Sequence, residues 1–540
     1  MRKGRIWSFA IMLLLVLSTV LAACSSDDKG GESSSGGSSG GGGGDKTLVF
    51  GRGGDSTSLD PSRTTEGETF KVTINIYETL LTFEDEGTAV EPGLAKSWNA
   101  SEDGLTYTFE LQEGVKFHDG TDFNAEAVVK NFERWAAGNA DQFPYYNTMF
   151  GGFEGDEGHV IESVKADGDH TVVFTLKRPQ APFLKNLAMD MFAIASPTAI
   201  EKYGDDDFER NPVGTGPFKF VDWKANDSIT VEKFEDYWQE GKPKLDKIIF
   251  RSIPDNAARL NALTTGEIDL ADGINPSDGE SIENNPDLQL FERPSMNVGY
   301  LGLTVTREPF DNKLVRQAIN HAIDKQSIID AFFEGRADIA VNPMPPSISG
   351  YNEDIEGYDY NPEKAKELLK EAGFEDGFEM ELWAMPVPRP YMPDGEKVAE
   401  VIQKNLEDIG VTAKIVSHEW ATYLDLAEKG EADAFMLGWT GDNGDPDNFI
   451  YALLDEDNIG SNNYTFFKND EMHDLLIEAQ TEVDEEKRIE LYKKAQEIVH
   501  EEAPWVPLAH SIPLLAGAKD ITGFLPHPTG SDLLSDVDFE

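Results

Sequence analysis

Hydrophobic residues between positions 376 and 441 follow two alternating periods, which predict strands separated by helices. In FEMEL (378–382) every second residue is hydrophobic, as in a half-buried strand. Hydrophobic residues then recur at helical spacing from Val398 to Ile409, and the pattern stops at Gly410, a residue typical of helix ends. The segments VTAKIVSHEW, TYLDLAEKGEA and DAFMLGW predict a second strand, a second helix and a third strand. The predicted order is therefore β-α-β-α-β.

Helical connections make the three predicted strands parallel, because a parallel strand is reached through a crossover. The loops after the first and third strands carry Arg389 and Asp442, and both loops leave the sheet at the same edge. Ligands of open α/β sheets bind at this edge. The sequence therefore predicts a cationic and an anionic side chain close together at a binding site.

Other periodic segments extend the prediction to a mixed α/β protein. LTYTFELQEGVKF (105–117) alternates strongly and predicts a hairpin that turns at Glu113 and Gly114. TVVFTLKRP, SITVEKF and KIIFRSIP predict strands, and NAARLNALTTGEID predicts a helix. Residues 312–335 predict one long helix. Its hydrophobic stripe consists of Val315, Ala318, Ile319, Ala322 and Ile323.

The N-terminal segment is typical of a bacterial lipoprotein signal. A basic start is followed by a hydrophobic stretch that is short for a membrane span, and then by LAAC. We expect residues 1–23 to be removed and Cys24 to be lipidated. Cys24 is the only cysteine, so no disulfide can form within the chain. Residues 24–46 are rich in Ser and Gly and predict a flexible tether.

The length and charge narrow the functional class. A chain of 540 residues predicts two or three domains. The 46 basic residues against 100 acidic ones give a net charge of −54, which argues against nucleic acid and anionic membrane surfaces as partners. Such a charge is best tolerated where salt screens it. We interpret it as adaptation of an extracellular surface to high salt or high pH, or as a merely acidic secreted protein.

The acidic loop, GDNGDPDN (441–448), is the strongest candidate for chemistry. It contains three aspartates and no lysine or arginine. A calcium loop that starts at Asp442 would need Asp or Asn where this chain has Gly and Pro, so we predict no metal. Helix caps and turns account for Asp445 and Asp447. Asp442 follows the predicted strand so closely that a helix cap or a turn does not explain it as easily.

Signatures of catalysis are weak. The sequence contains no HExxH and no GxxxxGK[ST], its GxSxG-like spacings lie in the tether, and its nine histidines are scattered. We therefore predict neither an enzyme nor a bound cofactor. A carboxylate-dependent hydrolase is the alternative from a different class, because paired carboxylates occur easily in so acidic a chain.

Several long stretches resemble one family. They are EPGLAKSWNASEDGLTYTFELQEGVKFHDGTDFNAEAV, NPVGTGPFKFVDWK, YWQEGKPKLDKIIFRSIPD, VRQAINHAIDK and YNPEKAKELLKEAGF. They look like the solute-binding proteins of peptide ABC importers, the dipeptide/oligopeptide-binding type of extracellular solute-binding protein family 5. The resemblance covers the chain from Thr47 onward. WAMPVPRPY and GWTGDNGDPDNF resemble the dipeptide-binding branch in particular, while close relatives bind haem or glutathione.

The resemblance implies ligand-binding roles for particular residues. Arg389 would pair with the carboxylate of a peptide, and Asp442 would take its α-ammonium. Apart from the resemblance, we expect Trp439 and Trp420 to stack on ligand side chains or cover the cleft and Tyr391 to donate its hydroxyl; core packing is the alternative for these three. Thr440, next to Trp439, is the remaining predicted ligand-binding residue on the side of the cleft that carries Asp442. Ser56, in a loop near the N-terminal end, would lie in the opposite wall and contribute backbone contacts.

The resemblance also implies a type II periplasmic-binding-protein fold, α/β, with two lobes joined by a hinge and an extra α/β domain on the first lobe. Lobe I would take residues 47–67, 217–293 and 513–540. The extra domain would be 68–216, and lobe II, with both ligand motifs, would be 294–512.

The implied function is a monomeric, lipid-anchored receptor on the extracytoplasmic face of the cell membrane. It would capture dipeptides or short peptides and deliver them to an ABC permease. The lipid anchor suggests a Gram-positive host. A longer oligopeptide, haem or glutathione bound in the same fold is the alternative.

Overall fold

The computed structural model describes residues 46–540. The predicted signal segment, Cys24 and the tether up to Asp45 lie outside the described residues. Within the described range, no helix combines the length and hydrophobicity needed to span a membrane.

The described chain alternates strands and helices throughout. The strands are β1 (Thr47–Arg52), β2 (Leu81–Phe83), β3 (Val90–Pro92), β4 (Ala95–Ala100), β5 (Thr106–Leu111), β6 (Ile161–Ala166), β7 (Thr171–Leu176), β8 (Phe218–Lys224), β9 (Ser228–Lys233), β10 (Lys247–Ser252), β11 (Leu270–Ile274), β12 (Leu288–Glu292), β13 (Asn297–Leu303), β14 (Ala337–Ile339), β15 (Glu379–Trp383), β16 (Thr412–Val416), β17 (Ala434–Thr440), β18 (Trp505–Ser511), β19 (Leu514–Ala518), β20 (Ile521–Thr522) and β21 (Asp538–Phe539). The helices are α1 (Gly67–Thr73), α2 (Ala125–Ala136), α3 (Pro144–Phe150), α4 (Phe183–Leu187), α5 (Pro197–Phe208), α6 (Asn256–Thr264), α7 (Gly279–Glu283), α8 (Lys313–Ala322), α9 (Lys325–Phe332), α10 (Pro362–Glu371), α11 (Gly395–Asp408), α12 (Trp420–Glu428), α13 (Ile450–Leu454), α14 (Asp470–Thr481) and α15 (Glu485–Glu502).

The described strands form three larger sheets and two two-stranded ones, β2-β3 and β20-β21. A seven-stranded sheet has the order β12-β19-β11-β1-β10-β9-β8, and a six-stranded sheet has the order β14-β18-β13-β17-β15-β16. A four-stranded antiparallel sheet, β4-β5-β7-β6, lies within residues 95–176. Separate clusters of buried hydrophobic residues pack against each sheet.

The predicted β-α-β-α-β unit is confirmed. Strand β15 pairs in parallel with both β16 and β17, and helices α11 and α12 connect the three strands. The pairing of β15 with β17 extends only to Trp383↔Phe435. The loops that follow β15 and β17 therefore both leave the six-stranded sheet at the same edge.

The predicted hairpin at 105–117 is wrong. Strand β5 ends at Leu111, and its two edges pair with β4 and β7, so no edge is free for the residues after Gly114. Val115 and Phe117 are nevertheless buried in the hydrophobic core around this sheet. The alternation therefore reflects burial of these two side chains and not pairing with β5.

The helix predicted at 312–335 is two helices, α8 and α9. Ile323 has extended backbone angles, and the side chain of Asp324 accepts a hydrogen bond from the Ser327 N–H, which begins a new helix. An aspartate at this position is a strong helix-capping signal. All five residues of the predicted stripe are buried, so the hydrophobic face was identified correctly.

The chain crosses between the two large sheets at two places, from β12 to β13 and from β18 to β19. The crossings lie side by side, because the Arg293 N–H donates to the Pro513 carbonyl (2.9 Å). The Asn297 side chain also hydrogen-bonds the Ser511 backbone at 3.0 Å in both directions. The predicted lobe boundaries at 293 and 513 fall in these crossings; the lobes themselves stay a prediction.

Both ends of the described chain lie at the seven-stranded sheet. Lys46 directly precedes β1, and its Nζ pairs with the Asp538 carboxylate at 2.6 Å. The Lys46 carbonyl also accepts the Asp246 N–H at the start of β10.

Candidate functional site

A cavity of about 1120 Å³ lies where loops from the two large sheets meet residues of the 68–216 region. Six of the seven predicted ligand-binding residues line it: Arg389, Tyr391, Trp420, Trp439, Thr440 and Asp442. Ser56 is not among the lining residues, whereas its neighbours Gly53, Gly54 and Asp55 are.

Asp442 is held in place from two sides. Its Oδ2 accepts a hydrogen bond from Asn448 Nδ2 (3.0 Å), and its Oδ1 accepts one from the Tyr145 hydroxyl (3.0 Å). Asn448 Oδ1 in turn accepts the backbone N–H of Asp442 and the indole N–H of Trp439, at 2.9 and 3.1 Å. The carboxylate therefore has a fixed position at the end of β17, and each oxygen can still accept further hydrogen bonds.

Asp442 lacks a cationic partner. No ion pair among residues 46–540 involves the Asp442 carboxylate. Burial raises the pKa of Asp442 to about 6, and the hydrogen bonds from Asn448 and Tyr145 partly offset this. A second, small cavity of about 30 Å³ adjoins both Asp442 and Asp190. Burial raises the pKa of Asp190 to about 6 as well, and the charge of Asp442 adds to the shift.

The other two aspartates of the acidic loop have structural partners. Asp445 caps the turn at Pro446–Asn448 and forms a two-pronged ion pair with Arg488, at 2.6 and 2.8 Å. Its pKa is lowered because the guanidinium outweighs the cost of burial. Asp447 accepts hydrogen bonds from Gln480 and Tyr492. The prediction that Asp445 makes a turn is confirmed, and its counter-ion lies 43 residues further along the chain. The same prediction is wrong for Asp447, because its carboxylate bonds the Gln480 and Tyr492 side chains instead.

Arg389 carries the opposite charge. Burial raises the pKa of Tyr391, and the charge of Arg389 and a hydrogen bond with its side chain partly offset this. Its side chain is exposed, and none of the ion pairs within the described range involves it. Its guanidinium carbon lies 5.5 Å from the centre of the Trp420 ring. The backbone of Arg389 is fixed by two hydrogen bonds with Met392, at 2.9 and 3.0 Å. A tight turn thus holds at the cavity a cationic side chain that has no ion-pair partner among the described residues.

Tyr391 lies against two glycines that face each other across β13 and β17. A Cβ atom on Gly438 would come within 2.2 Å of Tyr391 Cδ2, and one on Gly299 within 2.4 Å of the Tyr391 carbonyl oxygen. The ring of Tyr391 therefore occupies the space that a side chain at Gly438 would fill, and its carbonyl occupies the space of one at Gly299. The two glycines bring the loop of Arg389 down onto the strands.

The two tryptophans and Thr440 have distinct settings. Trp439 faces the cavity near the end of β17 and is fixed by its bond to Asn448. Trp420 begins α12 and stacks on Tyr423, with ring centroids 5.7 Å apart. Thr440 is the last residue of β17 and pairs with Asn297. All three are half-buried, which leaves part of each accessible from the cavity.

The Ser56 side chain forms hydrogen bonds near its own loop and does not line the cavity. Its hydroxyl accepts a hydrogen bond from the Arg52 guanidinium (3.1 Å), and the residue is 6% exposed. Asp55 accepts from the Trp223 indole and the Asn226 backbone. The loop is thus rigid and reaches the cavity through Gly53, Gly54 and Asp55. A backbone contact from this loop to a ligand stays a prediction.

Two residues that position Asp442 were not predicted. Asn448 lies in the acidic loop itself, and its side-chain amide was the only local signal. Tyr145 lies 297 residues away in α3, and nothing in its local sequence indicates the contact.

One group within the described residues brings three metal-ligating side chains within 4.8 Å of one another: Asp455, Asp457 and His473. Hydrogen bonds explain why these three side chains lie close together, since Asp455 accepts from the Asp457 N–H and from His473. None of the three lines the main cavity.

Comparison with known proteins gives consistent relatives. Residues 89–461 match the model described as bacterial extracellular solute-binding proteins, family 5 Middle. The chain is 41% identical to the dipeptide-binding protein of Escherichia coli K12, over 92% of this chain and 95% of the relative. It is 39% identical to heme-binding protein A of Haemophilus influenzae, over 90% and 91% of the two chains.

Solved structures agree with these sequence matches. The ABC transporter-associated periplasmic binding protein DppA from Helicobacter pylori, in complex with peptide STSA, superposes with a TM-score of 0.79. It shares 38% sequence identity, covering 92% of this chain and 98% of that one. The predicted fold, α/β of the type II periplasmic-binding-protein kind, is confirmed. The family model matches well over half of the chain, and the relatives align along nearly all of it; the protein therefore belongs to the bacterial extracellular solute-binding proteins of family 5.

Proposed function

We propose that this protein is the substrate-binding component of an ABC transporter and captures dipeptides or short peptides outside the cell for delivery to a membrane permease. One observation carries the proposal: the cavity contains an unpaired carboxylate, Asp442, and an unpaired guanidinium, Arg389. A peptide zwitterion supplies the complementary charge at each end. The peptide complexes and names of the relatives support the same ligand class.

Asp442 takes the peptide's ammonium. An ammonium group brings three N–H donors and a positive charge, which replace the missing counter-ion of the buried carboxylate. Asn448 and Tyr145 keep the carboxylate oriented before the ligand arrives, so little entropy is lost on binding. Asp190 strengthens the negative potential on this side of the cavity.

Arg389 takes the peptide's carboxylate. The guanidinium matches a carboxylate with two parallel hydrogen bonds, which fixes direction as well as charge. Its turn holds the backbone, while the Trp420 ring beside the guanidinium limits the positions that the side chain adopts. The pair of opposite charges thereby sets the orientation of the peptide.

We propose that the spacing of the two charged groups, and not the size of the cavity, selects the length of the peptide. At about 1120 Å³, the cavity exceeds the usual range for small ligands, about 300–1,000 Å³, and leaves room for varied side chains and water. An added residue extends the peptide by about 3.5 Å, which moves its carboxylate past Arg389. Closure by rotation at the two crossings then removes water from the charged ends.

Localisation and assembly form part of the proposal. We propose that Cys24 is lipidated and that the protein is a monomer anchored to the extracytoplasmic face of the cell membrane. Metabolic labelling with an alkyne fatty acid should mark the wild-type protein and not the Cys24→Ala variant. The protein binds its ligand without converting it, so a bound peptide should be recovered intact.

A calorimetric titration of residues 45–540 tests the central claim. One dipeptide, Ala-Ala, is compared with its N-acetylated form, its C-terminal amide and the tripeptide Ala-Ala-Ala. We expect micromolar binding of Ala-Ala, about −8 kcal/mol, and loss of binding when either end is blocked. Equal binding of the blocked forms would refute the charge clamp. A visible absorption band in the purified protein would instead point to haem.

A further inference from the structure

A second group of polar atoms lines the cavity and is not used by the two charged groups. Tyr300 in β13 and Tyr464 between α13 and α14 both line the cavity. Burial raises the pKa of Tyr464 to about 12, and it raises the pKa of Tyr300 with a contribution from nearby Tyr464. Both phenols therefore keep their protons at neutral pH and can each donate and accept a hydrogen bond.

The two hydroxyls have no protein partner among the hydrogen bonds of residues 46–540. A neighbouring tyrosine shows the contrast: the Tyr423 hydroxyl bonds the Trp383 carbonyl and both backbone groups of Met436. Tyrosine hydroxyls that are largely buried usually find a partner. Because Tyr300 and Tyr464 line the cavity, a ligand bound there can supply that partner.

The rings of these tyrosines are fixed and their surroundings are apolar. Tyr300 stacks face to face on Trp505, with ring centroids 3.6 Å apart, and Tyr464 packs edge-on against Phe435 at 6.2 Å. Leu437, which pairs with Tyr300 across β13 and β17, also lines the cavity, as do Leu424 and Leu453. We call the part of the cavity lined by these two tyrosines and three leucines the phenol recess.

The phenol recess offers no counter-ion to an ionised occupant. None of its five residues carries a charge at neutral pH. A buried cation would need a carboxylate as a partner, and the five residues of the recess supply none. An uncharged amide fits instead, because it matches two phenols with one acceptor and two donors on an apolar stem.

We propose that the phenol recess is a side-chain subsite that favours a ligand residue with an apolar stem and an amide end, such as glutamine. The inference rests on the proposed peptide ligand and adds a preference that the charge clamp does not give. Methionine is the matched comparison, since it is unbranched, of similar length and lacks the amide. The hydrogen bonds predict about five- to tenfold tighter binding of the glutamine peptide.

The test is a calorimetric comparison of Ala-Gln with Ala-Met and of Gln-Ala with Met-Ala, which probes both ligand positions. In wild-type protein we expect the glutamine preference at one position. The ratio of the two dissociation constants should fall to about one in Tyr300→Phe/Tyr464→Phe, and each single variant should give an intermediate ratio. Tyr360→Phe, at an exposed tyrosine outside the cavity, should keep the wild-type ratio. Thermal unfolding establishes that each variant is folded.

Two outcomes overturn the inference: equal binding of the glutamine and methionine peptides at both positions, or a preference that survives in the double variant. If Ala-Ala binds with free ends only and no glutamine preference exists, the subsite is refuted while the charge clamp stands. If no dipeptide binds, the proposed function fails and the subsite fails with it.

Discussion

Replacing Asp442 by Asn should weaken peptide binding and stabilise the unliganded protein. The substitution keeps the size of the side chain and removes its charge. Removing one partner of a desolvated, hydrogen-bonded charge pair costs about 2–5 kcal/mol. For Asp442, which pairs with no cation of the described protein, we expect about 3 kcal/mol, or roughly a 150-fold increase in Kd for Ala-Ala.

The stability effect has the opposite sign. Burial raises the pKa of Asp442 from 3.8 to about 6. Protonation of Asp442 therefore stabilises the folded protein relative to the unfolded chain. This stabilisation is complete below about pH 4 and is lost as the pH rises through about 6. At pH 7 the charged form costs about 3 kcal/mol. Asparagine avoids this cost but forfeits one hydrogen bond, worth about 1 kcal/mol, because it has a single acceptor. The net gain predicts a rise in Tm of about 2 °C.

Calorimetric titration and thermal unfolding at pH 7 measure the two effects on one sample. Asp445→Asn is the matched control, because it makes the same change three residues away. It leaves the buried Arg488 without its carboxylate, so Tm should fall by about 3 °C. The reasoning is refuted if Asp442→Asn binds Ala-Ala within threefold of wild type, or if its Tm falls as Asp445→Asn does.

Three further predictions concern the same cavity. Arg389→Met should weaken binding of Ala-Ala at least 30-fold and leave binding of its C-terminal amide unchanged, because only the free carboxylate needs the guanidinium; calorimetry with both ligands decides this. Acidification below pH 6 should weaken Ala-Ala binding by about tenfold per pH unit, since Asp442, whose pKa is about 6 in the unliganded protein, must lose one proton to bind the ammonium. A flat profile between pH 4.5 and 6 would contradict the assignment of the ammonium to Asp442. Gly438→Ala should displace Tyr391, whose ring occupies the space of the added methyl group, and weaken binding by about tenfold or more; wild-type affinity in a folded variant would show that the loop position is unimportant.

Local periodicity was sufficient for the elements that carry the charged groups. FEMEL, the helix that ends before Gly410 and DAFMLGW each bury one face, and their order alone makes the strands parallel. The shared edge that brings Arg389 and Asp442 to one cavity follows from that order. This part of the site could therefore be predicted from residues within 70 positions of one another.

The errors and omissions have non-local causes. The hairpin at 105–117 failed because both edges of β5 are taken by strands that the local pattern does not identify as its partners. Arg488 is 43 residues from Asp445, and Tyr145 is 297 residues from Asp442. Neither contact changes the hydrophobic pattern around the aspartates. Contacts of this kind depend on which distant segments the tertiary fold brings together, and hydrophobic periodicity does not contain this information.

The position of both described chain ends at one sheet has a mechanical consequence. Lys46 and Asp538 are joined by an ion pair beside β1, and the chain reaches the six-stranded sheet only through the two crossings. A bead attached at either described end is therefore joined directly to the seven-stranded part. Under the proposed closure, Arg389 and Asp442 move relative to that attachment point, because both follow strands of the six-stranded sheet. A tethered single-molecule experiment should then record ligand capture as a displacement of the six-stranded part, and no displacement would contradict the proposed closure.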